Sequence, residues 1–494
     1  MKLQLKSILF LLLTIPNILS LTIFPLEQEV PIIRFAFSLS RTGAHSPSHL
    51  EYISSKESPN QYKDIFGFFW NGESELTNVG KRQQFLLGYR HYLKYIEEPE
   101  NKLLNQTYDP REIFASSSES NRTIQSAYAQ LHGVYQQGTP LSDKQIENAD
   151  PPNNKRFFSD EKKNLGNNVL PNNILVIPVH TFYEKEHTYL LEKKDNCPNG
   201  FSVIQKIENN QNAINLRNEI VDKFKFKLIE LIDNKKDGDK IVDLDYLKNN
   251  FDYFKNYMET FICNFFEDNS LIKGNITSND YYEILDYAFK YMMEISLYNK
   301  NNSNNETKRF VKMVNIPLAN KLINWLKKKV ENDISGKIDI LDYQIPKFVS
   351  YSSHHFSLDS LNAFINDIFT FDDKSIKYPN FTSFINIELI RPKKSDNKYN
   401  EDDFNVTYSF DEEILLNIKY KDFISKINDY IKTDNDVKTY CNYTDNDFKI
   451  ENVFTIYIIL TALFGVLFVL LLVFLIHFIL NKREKISNQP LLDE

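Results

Sequence analysis

Apolar residues recur along this chain with two different periods, and the periods mark its elements. Ile33, Phe35, Phe37 and Leu39 alternate at a spacing of two, the pattern of a strand with a buried face. That strand runs into the turn-rich segment 41–47. After Leu76-Thr77-Asn78-Val79-Gly80 the spacing becomes helical, with Phe85, Tyr89, Leu93 and Ile96 on one face. Phe114-Ala115-Ser116 leads into a second helical face of Ile124, Ala127, Leu131 and Val134. Residues 174–177 are a short apolar run that predicts a strand, broken at Pro178 and running out at His180. From residue 216 to about 293 the chain is helical in tone, rich in Phe, Tyr, Leu, Lys and Asp. Phe348-Val349-Ser350-Tyr351 predicts a further short strand, followed by a polar loop and the helical face Leu358, Leu361 and Ile365. Strands alternating with helices at both ends of a long helical block predict an α/β domain carrying a helical insertion. Short strands ending in polar turns are where such folds place their sites.

The two ends carry a different signal. Residues 1–20 place Lys2 and Lys6 before a short apolar run, then Pro16 and Ser20, the pattern of a cleaved secretory leader. Residues 453–480 are nearly unbroken Val, Ile, Leu and Phe, more than the roughly 20 residues that span a bilayer core. Lys482, Arg483 and Lys485 follow at once, so the positive-inside rule predicts a single-pass, type I protein with tail 481–494 in the cytosol. A lipid-anchor signal would have no charged tail after its apolar run. The tail ends in Leu491-Leu492-Asp493-Glu494, a di-leucine pair whose upstream acidic position is Ser487; endosomal sorting and chance both remain as readings. Lysosome, endosome and cell surface are all compatible with such a tail, with the ectodomain lumenal or extracellular.

Composition narrows the partners. A net charge of −8 gives no global basic field, which argues against nucleic acid. N-x-S/T sequons begin at Asn105, Asn121, Asn275, Asn301, Asn305, Asn380, Asn405 and Asn442. A secretory route predicts surface glycans on several of them. The three cysteines, Cys197, Cys263 and Cys441, all lie in the predicted ectodomain, where an oxidising compartment lets two pair and leaves one over.

Four segments, in order, carry a resemblance. They are Arg41-Thr42-Gly43-Ala44-His45-Ser46-Pro47, Glu75-Leu76-Thr77-Asn78-Val79-Gly80-Lys81-Arg82-Gln83, Ser117-Ser118-Glu119-Ser120-Asn121-Arg122-Thr123 and Tyr351-Ser352-Ser353-His354-His355-Phe356-Ser357-Leu358. Fainter echoes are Ile177-Pro178-Val179-His180-Thr181, Asn196-Cys197-Pro198 and Ile262-Cys263-Asn264. The set resembles the histidine acid phosphatases, the branch that includes lysosomal and prostatic acid phosphatases. Their corresponding patterns are R-H-G-x-R-x-P, L-T-x-x-G-x-x-Q, S-T-D-x-D-R-T and Y-S-A-H-D-x-T-L. The resemblance implies a mixed-sheet, three-layer, phosphoglycerate mutase-like core formed by residues 21–195 and 310–445, with 196–309 as a helical cap. It also implies a phosphomonoesterase ancestry, a phosphate ester or other small anion as ligand, and no cofactor. A homodimer would be reasonable, Cys197 would pair with Cys441, and Cys263 would remain a buried thiol.

In that family a histidine attacks phosphorus, arginines neutralise the phosphoryl oxygens, and an aspartic acid protonates the leaving alcohol. The chemistry needs positive charge around three oxygens, an in-line nucleophile and a proton donor. Here the resemblance puts Arg41, Arg122 and His354 in matching phosphate-binding positions. Thr42 stands at the nucleophile position, His45 at the second arginine of the loop, and His355 at the acid. A threonine hydroxyl is a poor nucleophile without an adjacent base. The expectation is therefore an impaired phosphatase or a pseudoenzyme with an anion pocket. The alternatives are an active enzyme using His45 as a migrated nucleophile with His355 as acid, and an anion-binding, receptor-like glycoprotein. Metal binding by His45, His354 and His355 is disfavoured, because adjacent histidines seldom face one ion and no flanking carboxylate or thiol completes a set.

Overall fold

A computed structural model describes residues 31–441 outside the segments 54–60, 65, 67, 100–101, 150–162, 182–196, 233–235, 238–239, 268–276, 338–344, 371–377 and 433–435, and beyond these only Thr461, residues 471–473 and Ile476. The predicted leader, span and tail therefore lie outside the described residues, those few positions apart. Among the described residues no helix is long and apolar enough to cross a membrane. The chain divides into two compact units, Met1–Val437 and Lys438–Glu494, and nearly all described residues belong to the first.

The strands of that first unit, in chain order, begin with β1 (Ile32–Arg41) and the short strands β2 (Glu51–Ile53), β3 (Gln61–Lys63) and β4 (Phe69–Trp70). Next come β5 (Ile113–Ser117), β6 (His180–Thr181) and the hairpin β7 (Lys236–Asp237) and β8 (Lys240–Ile241). The last are β9 (Phe348–Ser353), β10 (Phe384–Arg391), β11 (Asn405–Phe410) and β12 (Glu413–Lys419). The main sheet runs β12-β11-β10-β1-β9-β5-β6. Its pairings are parallel from β1 through β9 and β5 to β6, and antiparallel from β1 through β10 and β11 to β12. This is the mixed α/β architecture that the alternating pattern predicts.

β1 is buried along nearly its whole length, as a strand covered on both faces must be. On one face lie α1 (Asn78–Tyr92) and α2 (Asn121–Val134), where Gln130 accepts from Ser40 and Ser350 hydroxyls at 3.3 and 3.4 Å. Helix α3 (Asp143–Asn148) follows. The other face is covered by α9 (Asn305–Ile334), whose Trp325 meets Phe35 at 6.0 Å, and by α10 (His355–Phe369). Asn315 of α9 donates to Ser360 of α10 at 2.7 Å. Helix α11 (Tyr420–Lys432) completes this layer.

Between the two halves run α4 (Pro198–Glu208), α5 (Gln211–Ile232), α6 (Leu244–Asn249), α7 (Phe251–Phe266) and α8 (Ser278–Glu294). Phe254, Phe261, Tyr281 and Tyr291 anchor the core shared by α5 to α8, which also takes in Phe66, Trp70 and Phe381. Asp64 ties the small β2–β4 sheet to α7. It accepts the Phe66 and Phe68 N–H groups at 2.9 Å, Trp70 Nε1–H at 3.1 Å and Asn264 Nδ2–H at 2.7 Å.

Two expectations are corrected here. The predicted inner face of α1 points outward. Of the expected face Phe85, Tyr89 and Leu93 are exposed and Ile96, just past the helix, is buried, whereas the buried residues of α1 itself are Gly80, Gln84, Leu87, Gly88 and His91. The cause is a glycine contact. A Cβ on Gly88 would stand 1.8 Å from the Gln130 carbonyl oxygen, and one on Gly133 would stand 2.1 Å from that of Phe85. Backbone approach of that kind selects the small-residue side of the helix rather than the apolar one. The strand expected over 174–177 forms later instead, at His180–Thr181 beside Ser116 and Ser117. Pro178 has no N–H to give a ladder, so pairing starts beyond it.

Candidate functional site

Three parallel strands deliver the site. β1, β9 and β5 are neighbours, with Arg41 opposite Ser353 and Ser117 opposite Ser352. Their carboxyl ends therefore open side by side, where parallel α/β sheets bind ligands. Arg41 and Thr42 leave β1, His354 and His355 leave β9 into α10, and Ser118 leaves β5 towards Arg122 in the first turn of α2. Ser120 caps α2 through a reciprocal capping box with Thr123. The N-terminal ends of α2 and α10 add positive potential.

All six motif positions line one cavity of about 650 Å³: Arg41, Thr42, His45, Arg122, His354 and His355. The loop after β1 is fixed by close backbone contact. A Cβ on Gly43 would meet the Gly80 oxygen at 2.2 Å, and Thr77 N–H donates to the Ala44 carbonyl at 3.0 Å. This is why the first two motifs occur together. Arg41 is buried; Gln84 of α1 donates to its carbonyl at 2.6 Å, and its Nη1 donates to the Pro379 carbonyl at 2.5 Å. Its guanidinium lies over Phe381 at 4.3 Å and Tyr378 at 5.5 Å. Tyr378 and Phe381 come from a segment to which the sequence attached only the sequon at Asn380.

His354 is held by both nitrogens. Arg122 Nη2 can only donate, so at 3.0 Å it gives its proton to Nδ1. Nε2 then carries the ring proton and faces Ser118 Oγ at 3.1 Å, while that hydroxyl donates to Thr123 at 2.9 Å. A neutral His354 thus orients Arg122, and it has no lone pair left for a metal. Among the described residues no group of three His, Cys, Asp or Glu side chains is placed to hold one.

His45 stacks edge-on to Phe381 at 4.9 Å, and its Nδ1 lies 2.8 Å from the Ser46 carbonyl. A carbonyl only accepts, so Nδ1 carries the proton and, in a neutral ring, Nε2 is bare. The ring is held neutral: burial first, then Arg122 and Arg41, push its pKa well below 6.5. His355 is pushed the same way by burial, then Arg41, Lys255 and Arg122. That bears on its expected role, since a neutral imidazole is a poor general acid. At a pH of about 5.5 an ordinary histidine is nine-tenths protonated. The ring resonances of His45 and His355 are expected to keep neutral shifts there in an NMR titration. A transition near pH 6.5 for either would show that the ring is not buried beside the arginines.

Thr42 is buried, and its backbone is pinned from both sides: its N–H donates to Ser353 and its carbonyl accepts from Thr382, each at 3.0 Å. Among the described residues no side chain hydrogen-bonds its hydroxyl. Asn121 is exposed and donates to Glu75 at 2.9 Å. Cys197 and Cys441 are disulfide-bonded, and Cys263 is a buried free thiol whose pKa burial pushes well up.

The cavity also recruits residues that the motifs did not announce. Asp252, Lys255, Asn256 and Glu259 of α7 line it, as does Asp359, one turn into α10. Burial pushes the Asp359 carboxyl up to about 7, although the Leu297 and Tyr298 N–H groups at 2.5 and 3.2 Å pull it down. The spacing of the four α7 residues within a run of aromatics was the legible signal; Asp359 had none.

Comparison with known proteins gives three findings. Residues 2–410 match the histidine phosphatase superfamily, branch 2. A stretch of 188 residues is 26% identical to a lysosomal acid phosphatase of Xenopus laevis, covering 37% of this chain and 34% of that protein. The match thus spans about a third of the relative's length. Among solved structures, the Citrobacter braakii phytase is similar at TM-score 0.46 and 14% identity, covering 77% of this chain and 85% of that one. A phytase from D. castellii is similar at 0.46 and 10%, covering 85% of each. The Bifidobacterium longum multiple inositol polyphosphate phosphatase, in complex with inositol hexasulfate, is similar at 0.45 and 11%, covering 80% and 89%.

Proposed function

Since the chain belongs to the histidine phosphatase superfamily, branch 2, we propose that its cavity binds a phosphate ester or similar small anion while the family's phosphohistidine chemistry is impaired. The single observation that carries this is Thr42. At the position that the family resemblance gives to the nucleophile stands a buried residue whose hydroxyl no base touches among the described residues, in a cavity that Arg41 and Arg122 also line. Arg41 and Arg122 are the anion clamp, guanidinium forks being suited to two phosphoryl oxygens at once. His354 is a positioning residue that aims Arg122. The protein is further proposed to be a type I membrane glycoprotein of the secretory pathway, with this cavity lumenal or extracellular.

The test uses the full-length protein in detergent. Inorganic phosphate is expected to bind, and Arg122→Ala to weaken it about 10–100-fold, the worth of a charge-assisted hydrogen bond. Hydrolysis of an aryl phosphate at acidic pH is expected at background. Robust turnover abolished by Arg122→Ala would overturn the impairment.

One observation favours a second reading, in which His45 is a working nucleophile. Its neutral ring, with Nδ1–H spent on a carbonyl and Nε2 bare beside Arg41 and Arg122, is the state in which an imidazole attacks phosphorus. In this reading Nε2 bonds to phosphorus as the ester oxygen leaves and takes up a proton. Water then cleaves the N–P bond. Rapid quench with a radiolabelled ester and alkaline peptide mapping would place an acid-labile label on His45; turnover without that label ends the reading.

A further inference from the structure

The His45 ring is held in one orientation and one tautomer. Its loop is pinned on both sides: the Ala44 N–H donates to Gln83 at 2.9 Å, and the Ser46 N–H donates to the Glu75 carbonyl at 2.9 Å. The ring lies edge-on to Phe381, which itself packs against Phe266 at 5.0 Å. Nδ1 is 2.8 Å from the Ser46 carbonyl, which can only accept, so that nitrogen carries the proton.

The two nitrogens of an imidazole point away from each other. With Nδ1 turned into the loop, Nε2 is the polar atom that His45 turns to the cavity it lines. Among the described residues no group hydrogen-bonds this nitrogen. In the neutral ring it offers a lone pair and has nothing to donate. The charged side chains acting on the ring, Arg122 and Arg41, both favour that neutral form. His354 differs, because Arg122 and Ser118 occupy both of its nitrogens. His355 lines the cavity too, but among the described residues no hydrogen bond fixes its tautomer. His45 Nε2 is thus a lone pair of fixed direction in the cavity that Arg41 and Arg122 also line.

Resting on the reading that this cavity takes a phosphate ester, we infer that the phosphoryl group binds with one oxygen protonated, its P–O–H donating to His45 Nε2, and that His45 thereby selects phosphate esters over sulfate esters. A lone pair so used is directed at a phosphoryl oxygen, not at phosphorus. At a pH of about 5.5 a phosphate monoester keeps one such proton, its second pKa being about 6. A sulfate ester is a monoanion of nearly the same shape with no proton to give. Charge therefore does not separate the two under these conditions; the hydrogen does. A sulfate oxygen would face the Nε2 lone pair, and a buried acceptor left without a donor costs about 10–100-fold in affinity. Sites built to hydrogen-bond a group reject the analogue that lacks it for this reason. His45 is in this sense a specificity-determining residue, set apart from the arginine clamp.

Calorimetric titration of the full-length protein in detergent at a pH of about 5.5 tests this with phenyl phosphate and phenyl sulfate, inorganic phosphate alongside. Phenyl phosphate is expected to bind about 10–100-fold tighter than phenyl sulfate. His45→Arg puts donors where the acceptor stood, and should bring phenyl sulfate to within about threefold of phenyl phosphate. If that variant does not fold, His45→Gln, whose amide can turn its NH2 to the anion, serves the same purpose. Equal affinities for the two esters in the unaltered protein overturn the inference and leave the anion site standing. A preference for phosphate that survives either variant unchanged places the acceptor elsewhere, and also overturns it. Failure of inorganic phosphate and phenyl phosphate to bind at all overturns the anion site itself, and this inference with it.

Discussion

Asp333→Ala is expected to cost the fold about 3–5 kcal/mol, the usual result of stripping the partner from buried charge. Asp333 sits in the last turn of the thirty-residue α9. Its carboxylate takes both Nε and Nη2 of Arg34 at 2.8 and 2.9 Å, and Nε of Arg391 at 2.7 Å. The Asp333 and Arg391 side chains are only 2% and 4% exposed. The two arginines come from paired strands, β1 and β10, so one carboxylate staples the long helix to the centre of the sheet. A register shift between Ile33 and Phe35 leaves Arg34 as the extra residue of a bulge. Bulges re-aim side chains, and here Arg34 and its neighbour Phe35 both reach α9. Asp333→Asn, which keeps an acceptor but not the charge, should fall between. Urea unfolding of the full-length protein reads both. A loss below about 1 kcal/mol for Asp333→Ala would mean that the triad is screened like a surface pair.

That staple was not legible in the sequence, and the reason is general to this fold. Period-two alternation picked out Ile33, Phe35, Phe37 and Leu39, and all four are buried, but the bulge at Arg34 turns Ile33 to the opposite face, into the cluster of Ala36 and Tyr95, and it is buried because both faces of the strand are covered. The helical period misplaced the inner face of α1, because Gly88 and Gly133 make that contact through backbone and carry no hydropathy. The motif positions were legible because each sits at the end of a strand or the start of a helix, and the sheet order then brings those ends to one cavity. Tyr378 and Phe381, which hold Arg41, were silent: they lie 337 and 340 residues further on in the numbering, in a stretch with no periodic pattern. Asp359 was hidden as one of several polar residues, with Ser357, Ser360 and Asn362, that its helix buries. His355 was legible in place but not in protonation state, which depends first on burial and then on Arg41, Lys255 and Arg122 arriving from separate segments.

Restoring the missing ring is the sharper test of function. Thr42→His is expected to raise aryl phosphate hydrolysis at acidic pH at least about a hundredfold above the unaltered protein. The arginine clamp is in place, and what the site lacks is the attacking atom. In serine enzymes the corresponding loss costs on the order of 10⁶ in kcat, so even a poorly seated nucleophile has room to act. The substitution falls at a buried position whose backbone is fixed by Ser353 and Thr382, with the side chain at the wall of a cavity large enough to take a ring. Thr42→His alone would still want a proton donor, since His355 is held neutral. Adding His355→Asp supplies one, and general acid help is worth roughly 10²–10⁴-fold. The double variant should therefore exceed the single one by about that factor, and Arg122→Ala should abolish both gains. If instead the unaltered protein already turns over briskly, and Thr42→His lowers that rate while a phosphoryl label stays on His45, then the attacking atom had moved rather than vanished. The loop after β1 would be a rebuilt active site, with Thr42 as wall and His45 as nucleophile.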